Sequence, residues 1–169
     1  MSGAQTTKKV CLVGDFAVGK TSLVARFVQQ AFSDRYLSTV GVSIKTKRVP
    51  VPDGGAMKLV IWDIAGNDAL TTAAERYLRG ADGYMLVVDG TRPATLDSAL
   101  RLREDVARLC GPLPHVCLLN KHDLTDAWAL DEAATVPLAQ DAAGLWTTSA
   151  KTGDNVEHAF LDLAATLSA

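Results

Sequence analysis

The stretch Gly14-Asp15-Phe16-Ala17-Val18-Gly19-Lys20-Thr21 decides the fold of this chain. It follows the apolar run 10–13, which predicts a buried strand, and it precedes a helical pattern of apolar residues over 22–28. A glycine, four residues and Gly-Lys-Thr form a phosphate-binding loop, whose backbone N–H groups and helix N-terminus point at one place. Lys20 can reach the terminal phosphates of a nucleotide, and the Thr21 hydroxyl can ligate Mg²⁺. A chance turn is the alternative, but the flanking strand and helix favour nucleotide binding.

The composition limits the class of protein. The chain has 169 residues, so it can bury a sizeable core, and one domain over 1–169 is expected. Seventeen basic and nineteen acidic residues give a net charge of −2, which does not suggest a nucleic-acid-binding surface or a polybasic membrane patch. No apolar run approaches the roughly 18 residues of a membrane span, and residues 1–9 lack the apolar stretch of a signal peptide. We therefore expect a soluble, cytoplasmic protein that does not bind nucleic acid.

The three cysteines are expected to be structural. Cys11 and Cys117 lie in apolar, strand-like runs, and Cys110 ends a helical stretch. An odd number of cysteines without metal-ligand spacing indicates small buried hydrophobes in a reducing compartment.

Strands alternate with helices along the chain. Strands are predicted at 10–13, 42–51, 57–62, 84–89, 115–120 and 145–148. Helices are predicted at 22–28, 68–80, 94–110, 137–144 and 156–167, the fourth beginning at Pro137 after a solvated turn at Asp131-Glu132. Pro50 and Pro52 limit the pairing of the second strand, which is expected to be half-buried or at an edge. The alternation predicts a single α/β domain of the P-loop NTPase type, with a mostly parallel six-stranded sheet and helices on both faces.

The segment Asp63-Ile64-Ala65-Gly66 follows the third predicted strand, at the sheet edge where ligands bind. The Asp63 carboxylate can hold Mg²⁺ through water, which this hard cation favours. The Gly66 backbone N–H can bind the γ-phosphate. Taken alone, the segment could equally be a chance turn.

Two later segments identify the base. In Asn120-Lys121-His122-Asp123, the Asp123 carboxylate can accept hydrogen bonds from N1–H and the 2-amino group of guanine, whereas adenine would leave it unpaired. The Lys121 stem can lie over the base, and Asn120 can brace the phosphate loop. Thr148-Ser149-Ala150-Lys151 follows the last strand and can present backbone N–H groups to the guanine O6. With a phosphate loop upstream, these segments indicate a guanine nucleotide.

These four segments, in this order and spacing, resemble those of the Ras-like small GTPases over essentially the whole chain. The nearest resemblance is to Rab proteins, because 36–42 is similar to the Rab effector loop and 62–66 and 77–83 are similar to the region of its second switch. The resemblance implies a GTP/GDP switch with Mg²⁺, whose loops 33–41 and 64–80 are ordered by the γ-phosphate and bind effectors, exchange factors and GTPase-activating proteins.

The resemblance also implies roles for individual residues. Thr39 would contact both Mg²⁺ and the γ-phosphate, Phe32 would pack against guanine, and Tyr36 would close over the phosphates. The implied phosphate-binding residues are Asp15, Phe16, Ala17, Val18, Gly19, Lys20, Thr21 and Ser22, and the base-binding residues are Asn120, Lys121, Asp123, Ser149, Ala150 and Lys151. The implied metal-binding residues are Thr21, Thr39 and Asp63, and the implied catalytic residues are Asn67, Lys20, Thr39 and Gly66.

The chain departs from the family pattern at three places. Asn67 stands where the family usually has Gln, so its reach toward the attacking water is about 1.5 Å shorter, and a misplacement of that order can cost roughly 10²-fold in rate. Phe16 either crowds the entry of a partner's arginine finger or folds onto the first switch loop without cost. The chain ends in Leu167-Ser168-Ala169 without a prenylation cysteine. Either a lipidated tail is missing from this sequence or the protein is never lipidated; the second is favoured, and bacterial Ras-like GTPases would fit that profile.

Three functions are therefore compatible with the sequence. The favoured one is a switch that hydrolyses GTP slowly, and the second is a GTP-binding scaffold that Phe16 and Asn67 make nearly inert. The third, an ATP enzyme such as a P-loop kinase, would need acceptor-site and lid residues and has no use for the guanine-binding segments.

Overall fold

The computed structural model describes residues 5–33 and 39–169. The strands are β1 (Thr6–Gly14), β2 (Val42–Pro50), β3 (Ala56–Ile64), β4 (Gly83–Asp89), β5 (His115–Asn120) and β6 (Gly144–Thr147). The helices are α1 (Lys20–Gln29), α2 (Thr72–Leu78), α3 (Ala94–Cys110), α4 (Glu132–Ala139) and α5 (Val156–Ser168), and a 3₁₀ turn spans Thr125–Ala127. The described strands form one six-stranded sheet in the order β2-β3-β1-β4-β5-β6. β2 runs antiparallel to β3 and the other pairs are parallel, so the predicted α/β class is confirmed.

The sheet is covered by helices on both faces, which explains the apolar strands in its middle. Every residue of β4 and β5 is buried, as expected of parallel strands that have a helix layer on each side. α1 and α5 pack on one face, where the rings of Phe27 and Phe160 stack at 4.0 Å. α2, α3 and α4 pack on the other face.

The chain order places the loop after β1 at a natural binding position. In the sheet, β1 lies between β3 and β4. The strands before β4 in the chain extend the sheet on one side of β1 and the later strands extend it on the other, so the direction of strand order reverses beside β1. Ligands of open α/β sheets bind at such a reversal, beyond the carboxyl ends of the strands. The predicted phosphate loop, residues 14–21, lies at this point.

The prediction of the fourth helix at 137–144 is wrong. The helix begins at Glu132 and ends at Ala139, with Pro137 inside it, and Gly144 begins β6. Asp131 is not part of a solvated turn but the N-cap, because its carboxylate accepts a hydrogen bond of 2.7 Å from the Ala134 N–H. A capping bond of this kind fixes a helix start more strongly than the preference of proline for a first turn.

The second helix is shorter than predicted. It spans Thr72–Leu78 rather than 68–80, and the Thr71 hydroxyl caps it by accepting the Ala74 N–H at 3.0 Å. Residues 65–71 are therefore an irregular segment that follows β3. Its proximity to the phosphate loop, described below, accounts for the late start of the helix.

The cysteines behave as apolar packing residues. Cys11 and Cys117 are fully buried, and burial raises the pKa of both thiols to about 12, so they stay protonated. Cys110 is half-buried at the end of α3.

Over 5–33 and 39–169, no helix is both long enough and apolar enough to cross a bilayer.

His115 makes the stability of the fold depend on pH. Its ring is 5% exposed and stacks on Tyr84 at 4.8 Å, and its Nε2 has no hydrogen-bond partner among the described residues. Burial lowers the pKa of His115; the contact with the Leu113 carbonyl and the Asp141 charge oppose this shift, and the nearby Arg103 charge adds to it. The unfolded chain then binds the proton more tightly, so stability should be complete above about pH 6.5 and should fall as the pH drops below that value.

We expect His115→Phe, which keeps an aromatic ring on Tyr84, to reduce this loss of stability at acid pH. The measurement is urea unfolding of both proteins at several pH values between 5 and 8. His158, which is exposed on α5, supplies the control His158→Gln, which should keep the wild-type pH dependence. An unchanged dependence in His115→Phe would contradict the assignment.

Candidate nucleotide-binding site

The loop between β1 and α1 needs its two glycines for steric reasons. A Cβ on Gly14 would lie 2.6 Å from the Val87 carbonyl oxygen, which is backbone of β4 and cannot move aside. Gly19 has a φ of 105°, and a Cβ there would overlap the side-chain nitrogen of Asn120. The loop thus lies closely packed between β4 on one side and the last residue of β5 on the other.

Lys20 is a buried cation at the first residue of α1. Its side chain is 6% exposed, and its Nζ donates to the carbonyl oxygens of Gly14 and Asp15, each at 3.1 Å. Burial lowers the pKa of Lys20 to about 8, although the carboxylates of Asp63 and Asp15 oppose this shift. The ammonium group is therefore dehydrated and held inside the loop, where phosphate oxygens are suitable partners.

Three hard oxygen ligands meet beside Lys20. The Thr21 hydroxyl donates to Asp63 Oδ2 at 2.6 Å, the Thr39 hydroxyl donates to the same atom at 3.0 Å, and the two hydroxyls contact each other. Asp63 is 2% exposed, and its Oδ1 has no hydrogen-bond partner among the described residues. Burial raises the pKa of Asp63, and the two hydroxyl bonds and Lys20 oppose that shift. Two hydroxyls and a carboxylate, whose Oδ1 has no partner among the described residues, form a set of oxygens that fits hydrated Mg²⁺.

The start of the second predicted switch loop touches the phosphate loop. A Cβ on Gly66 would lie 2.6 Å from the Asp15 carbonyl oxygen and 2.7 Å from Lys20 Nζ, so only glycine fits between them. The next residue, Asn67, donates its backbone N–H to the Gly14 carbonyl at 3.3 Å. Its side-chain oxygen accepts the N–H of Asp68 at 2.8 Å, so the amide oxygen is held by its own loop.

The first predicted switch loop is described only in part. The Thr39 hydroxyl lies beside the Thr21 hydroxyl and Asp63 Oδ2, whereas Tyr36 lies outside the described residues. Phe32, which the resemblance places against guanine, is 38% exposed. Phe16 is 56% exposed, and its carbonyl oxygen accepts a bond of 2.6 Å from Arg92.

The segment after β5 is tied directly to the phosphate loop. Asn120 is 2% exposed and donates its side-chain N–H to the Val18 carbonyl at 3.0 Å, while its oxygen accepts the Thr148 hydroxyl at 3.1 Å. Lys121 Nζ donates to the Ala17 carbonyl at 2.9 Å. The predicted bracing role of Asn120 thus has a geometric basis, and Lys121 adds a second brace.

Asp123 is positioned by the last loop of the site. Its Oδ1 accepts the Ser149 hydroxyl at 2.8 Å, so the carboxylate has a defined orientation. Arg26, in the last turn of α1, donates to the carbonyls of Ala150, at 2.8 Å, and Lys151. This arginine links the helix that begins at the phosphate loop to the segment expected near guanine O6.

Sequence reasoning missed two residues at this site, Arg26 and Arg92. Both donate to backbone carbonyls of loops that are far away in sequence, and no motif marks such partners. Trp62 lies between the two predicted switch loops; it is partly buried beneath the Lys9 ammonium, 3.8 Å from its ring, and beside Tyr77.

Comparisons with known proteins agree with this arrangement. A sequence model described as the Ras family matches residues 9–169. The chain is also 35% identical over 161 residues to the GTP-binding protein YPTM1 of Zea mays, and the alignment covers 94% of this chain and 77% of that protein.

Proposed function

The chain belongs to the Ras family and is Rab-like, and from this premise we propose that it is a switch that binds GTP and GDP with Mg²⁺ and hydrolyses GTP slowly. The observation that carries the proposal is the bracing of the phosphate loop by the guanine-binding segment. Asn120 and Lys121 bind the carbonyls of Val18 and Ala17 at 3.0 and 2.9 Å. A base and a polyphosphate joined in one ligand would occupy both segments together.

The proposed division of labour follows from the contacts. The N–H groups of residues 15–22 and the Lys20 ammonium would hold the phosphates, and Gly66 would donate its N–H to the γ-phosphate. Thr21, Thr39 and Asp63 would hold Mg²⁺, which when bound neutralises charge on the phosphate oxygens. Loss of the γ-phosphate would then release 33–41 and 64–80.

Slow hydrolysis is proposed from the position of Asn67. Its amide oxygen, the group that would orient the attacking water, accepts the Asp68 N–H in this structure. Its side chain is also one methylene too short to reach as far as Gln. The second candidate, a GTP-binding scaffold without useful hydrolysis, rests on the same position of Asn67. The two candidates differ only in how far the rate of GTP hydrolysis is reduced.

We expect Asn67→Gln to raise the single-turnover rate of GTP hydrolysis by about tenfold, part of the loss that a misplacement of this order can cause. The measurement is chromatography of the bound nucleotide after loading with GTP and Mg²⁺. Gln140→Asn, an exposed amide change far from the site, is the control and should leave the rate unchanged. Equal rates for wild type and Asn67→Gln would contradict the role of Asn67.

The wild-type protein in the same assay separates the candidate functions. Conversion to GDP over hours supports the slow switch, and persistence of GTP supports the scaffold. Failure to retain guanine nucleotide would contradict both.

Partner binding is proposed at the switch loops and the neighbouring strand. Val40 is 94% exposed and Ile44 is 48% exposed, and Ile44 pairs with Trp62 in the β2–β3 ladder. Apolar side chains exposed beside nucleotide-dependent loops suit effectors, exchange factors and GTPase-activating proteins. A single domain over 1–169 and a cytoplasmic location stay predictions from the sequence.

A further inference from the structure

Every backbone carbonyl of the phosphate loop from Gly14 to Gly19 accepts a hydrogen bond. The donors are Lys20 Nζ to Gly14 and Asp15, Arg92 Nη2 to Phe16, Lys121 Nζ to Ala17, Asn120 Nδ2 to Val18 and the Leu23 N–H to Gly19, and the Asn67 N–H makes a second bond to Gly14. A peptide whose carbonyl is held from outside turns its N–H the opposite way. These bonds therefore fix the direction in which the loop presents its N–H groups.

Among the described residues, Arg92 is the one side-chain donor to these carbonyls that belongs neither to a nucleotide-binding motif nor to α1. It lies in the turn between β4 and α3, and its guanidinium bridges two groups. The Nε donates to Asp89 Oδ2 at 3.0 Å, and Nη2 donates to the Phe16 carbonyl at 2.6 Å. A planar guanidinium can make both bonds at once in a fixed geometry, which a lysine ammonium cannot reproduce.

Asp89 holds this arginine from a buried position at the end of β4. Its side chain is 1% exposed, its Oδ1 accepts the N–H and hydroxyl of Thr91 at 2.8 and 2.6 Å, and its Oδ2 also pairs with Lys121 Nζ at 2.8 Å. Burial alone would raise the pKa of Asp89, but the bonds from Lys121, Thr91 and Arg92 outweigh it and keep the pKa low. One ionised carboxylate thus holds the donors to two successive carbonyls, those of Phe16 and Ala17.

The position of these two carbonyls shows what the arrangement does. Ala17 has a φ of 62°, a left-handed conformation that is strained for any residue other than glycine. The Phe16 carbonyl belongs to the peptide before Ala17, and the Ala17 carbonyl belongs to the peptide after it. Arg92 and Lys121 therefore fix both peptide groups that flank the strained residue.

We propose that Arg92, held by Asp89, is a positioning residue that keeps the Phe16–Ala17 peptide in the conformation required to bind the phosphates of a guanine nucleotide. The inference rests on the proposed function, because it assigns to Arg92 a role in that same site. Arg92 need not contact the nucleotide itself. It acts through the backbone of the loop.

The test is the rate of GDP dissociation from the Mg²⁺-loaded full chain, measured by displacement of a fluorescent GDP analogue. Arg92→Gln should dissociate about tenfold faster, since a hydrogen bond from a charged donor is lost. Arg92→Lys should stay well above the wild-type rate because it keeps the charge but not the bridge. Arg108→Gln is the matched control, because Arg108 forms the same kind of i,i+3 pair with Asp105 on α3, away from the loop.

A second readout separates positioning from a general loss of stability. The ³¹P NMR resonance of the β-phosphate of bound GDP should shift in Arg92→Gln and not in Arg108→Gln. Equal dissociation rates and equal ³¹P spectra for the two variants would overturn the inference, as would full rescue by Arg92→Lys. Failure of the wild-type protein to hold GDP would instead contradict the proposed function on which the inference rests.

Discussion

Asp123→Ala should lower the affinity for GTP by roughly 10²–10⁴-fold, because each lost hydrogen bond to a carboxylate is worth about 1.5–3 kcal/mol and 1.4 kcal/mol is a factor of ten. The carboxylate is oriented by the Ser149 hydroxyl at 2.8 Å, and Ser149 is itself 1% exposed. Such a fixed acceptor can bind N1–H and the 2-amino group of guanine together. Removing it takes away both bonds and leaves the rest of the loop in place.

The same substitution should remove the preference for guanine. Adenine lacks the two donors, so ATP gains nothing from Asp123, and the ratio of GTP to ATP affinity should fall nearly as far as the GTP affinity itself. The measurement is competition of each nucleotide against a fluorescent GDP analogue. Asp126→Ala, which removes an exposed carboxylate in the nearby 3₁₀ turn, is the control. A GTP affinity for Asp123→Ala within threefold of this control would contradict guanine recognition by Asp123.

Much of the site could be predicted because its segments have local chemical signatures. Residues 14–21, 63–66, 120–123 and 148–151 each follow a strand, and parallel strands bring their carboxyl ends to one edge. Strand and helix types followed from apolar periodicity, and α3 and β5 have the predicted bounds. Patterns of this kind depend on neighbours in sequence, so they can be read from the chain alone.

The features that were missed depend on partners far apart in sequence or on a single capping bond. Arg92 reaches Phe16 across 76 positions, and Arg26 reaches Ala150 across 124, so no window of sequence contains either pair. The predicted start of α4 at Pro137 is wrong because the Asp131 carboxylate caps the helix, which therefore begins at Glu132 and contains Pro137. Residues 68–71 were predicted to open the second helix, but Gly66 and Asn67 just before them are held against the phosphate loop, and Thr71 caps the helix.

The second large effect concerns the oxygens of Thr21, Thr39 and Asp63, which we propose as ligands of Mg²⁺. Asp63 is a buried carboxylate, and within the described part of the chain its Oδ1 lacks a hydrogen-bond partner. A buried carboxylate oxygen without a hydrogen-bond partner is costly, and water bound to Mg²⁺ would satisfy it. Since a bound metal ion contributes several kcal/mol at phosphate oxygens, removing Mg²⁺ with EDTA should speed GDP dissociation from the wild-type protein by roughly 10²-fold.

Thr21→Val should abolish most of this response to EDTA. Valine keeps the shape of threonine but removes the hydroxyl that donates to Asp63 Oδ2 at 2.6 Å and contacts the Thr39 hydroxyl. GDP should then dissociate roughly 10²-fold faster even with Mg²⁺ present, and EDTA should add at most a few-fold. Thr46→Val, an exposed hydroxyl loss on β2, should behave as wild type. Because both substitutions are isosteric, a full EDTA response in Thr21→Val would mean that the metal ion binds without this hydroxyl, and the assignment of Thr21, Thr39 and Asp63 as its ligands would have to be abandoned.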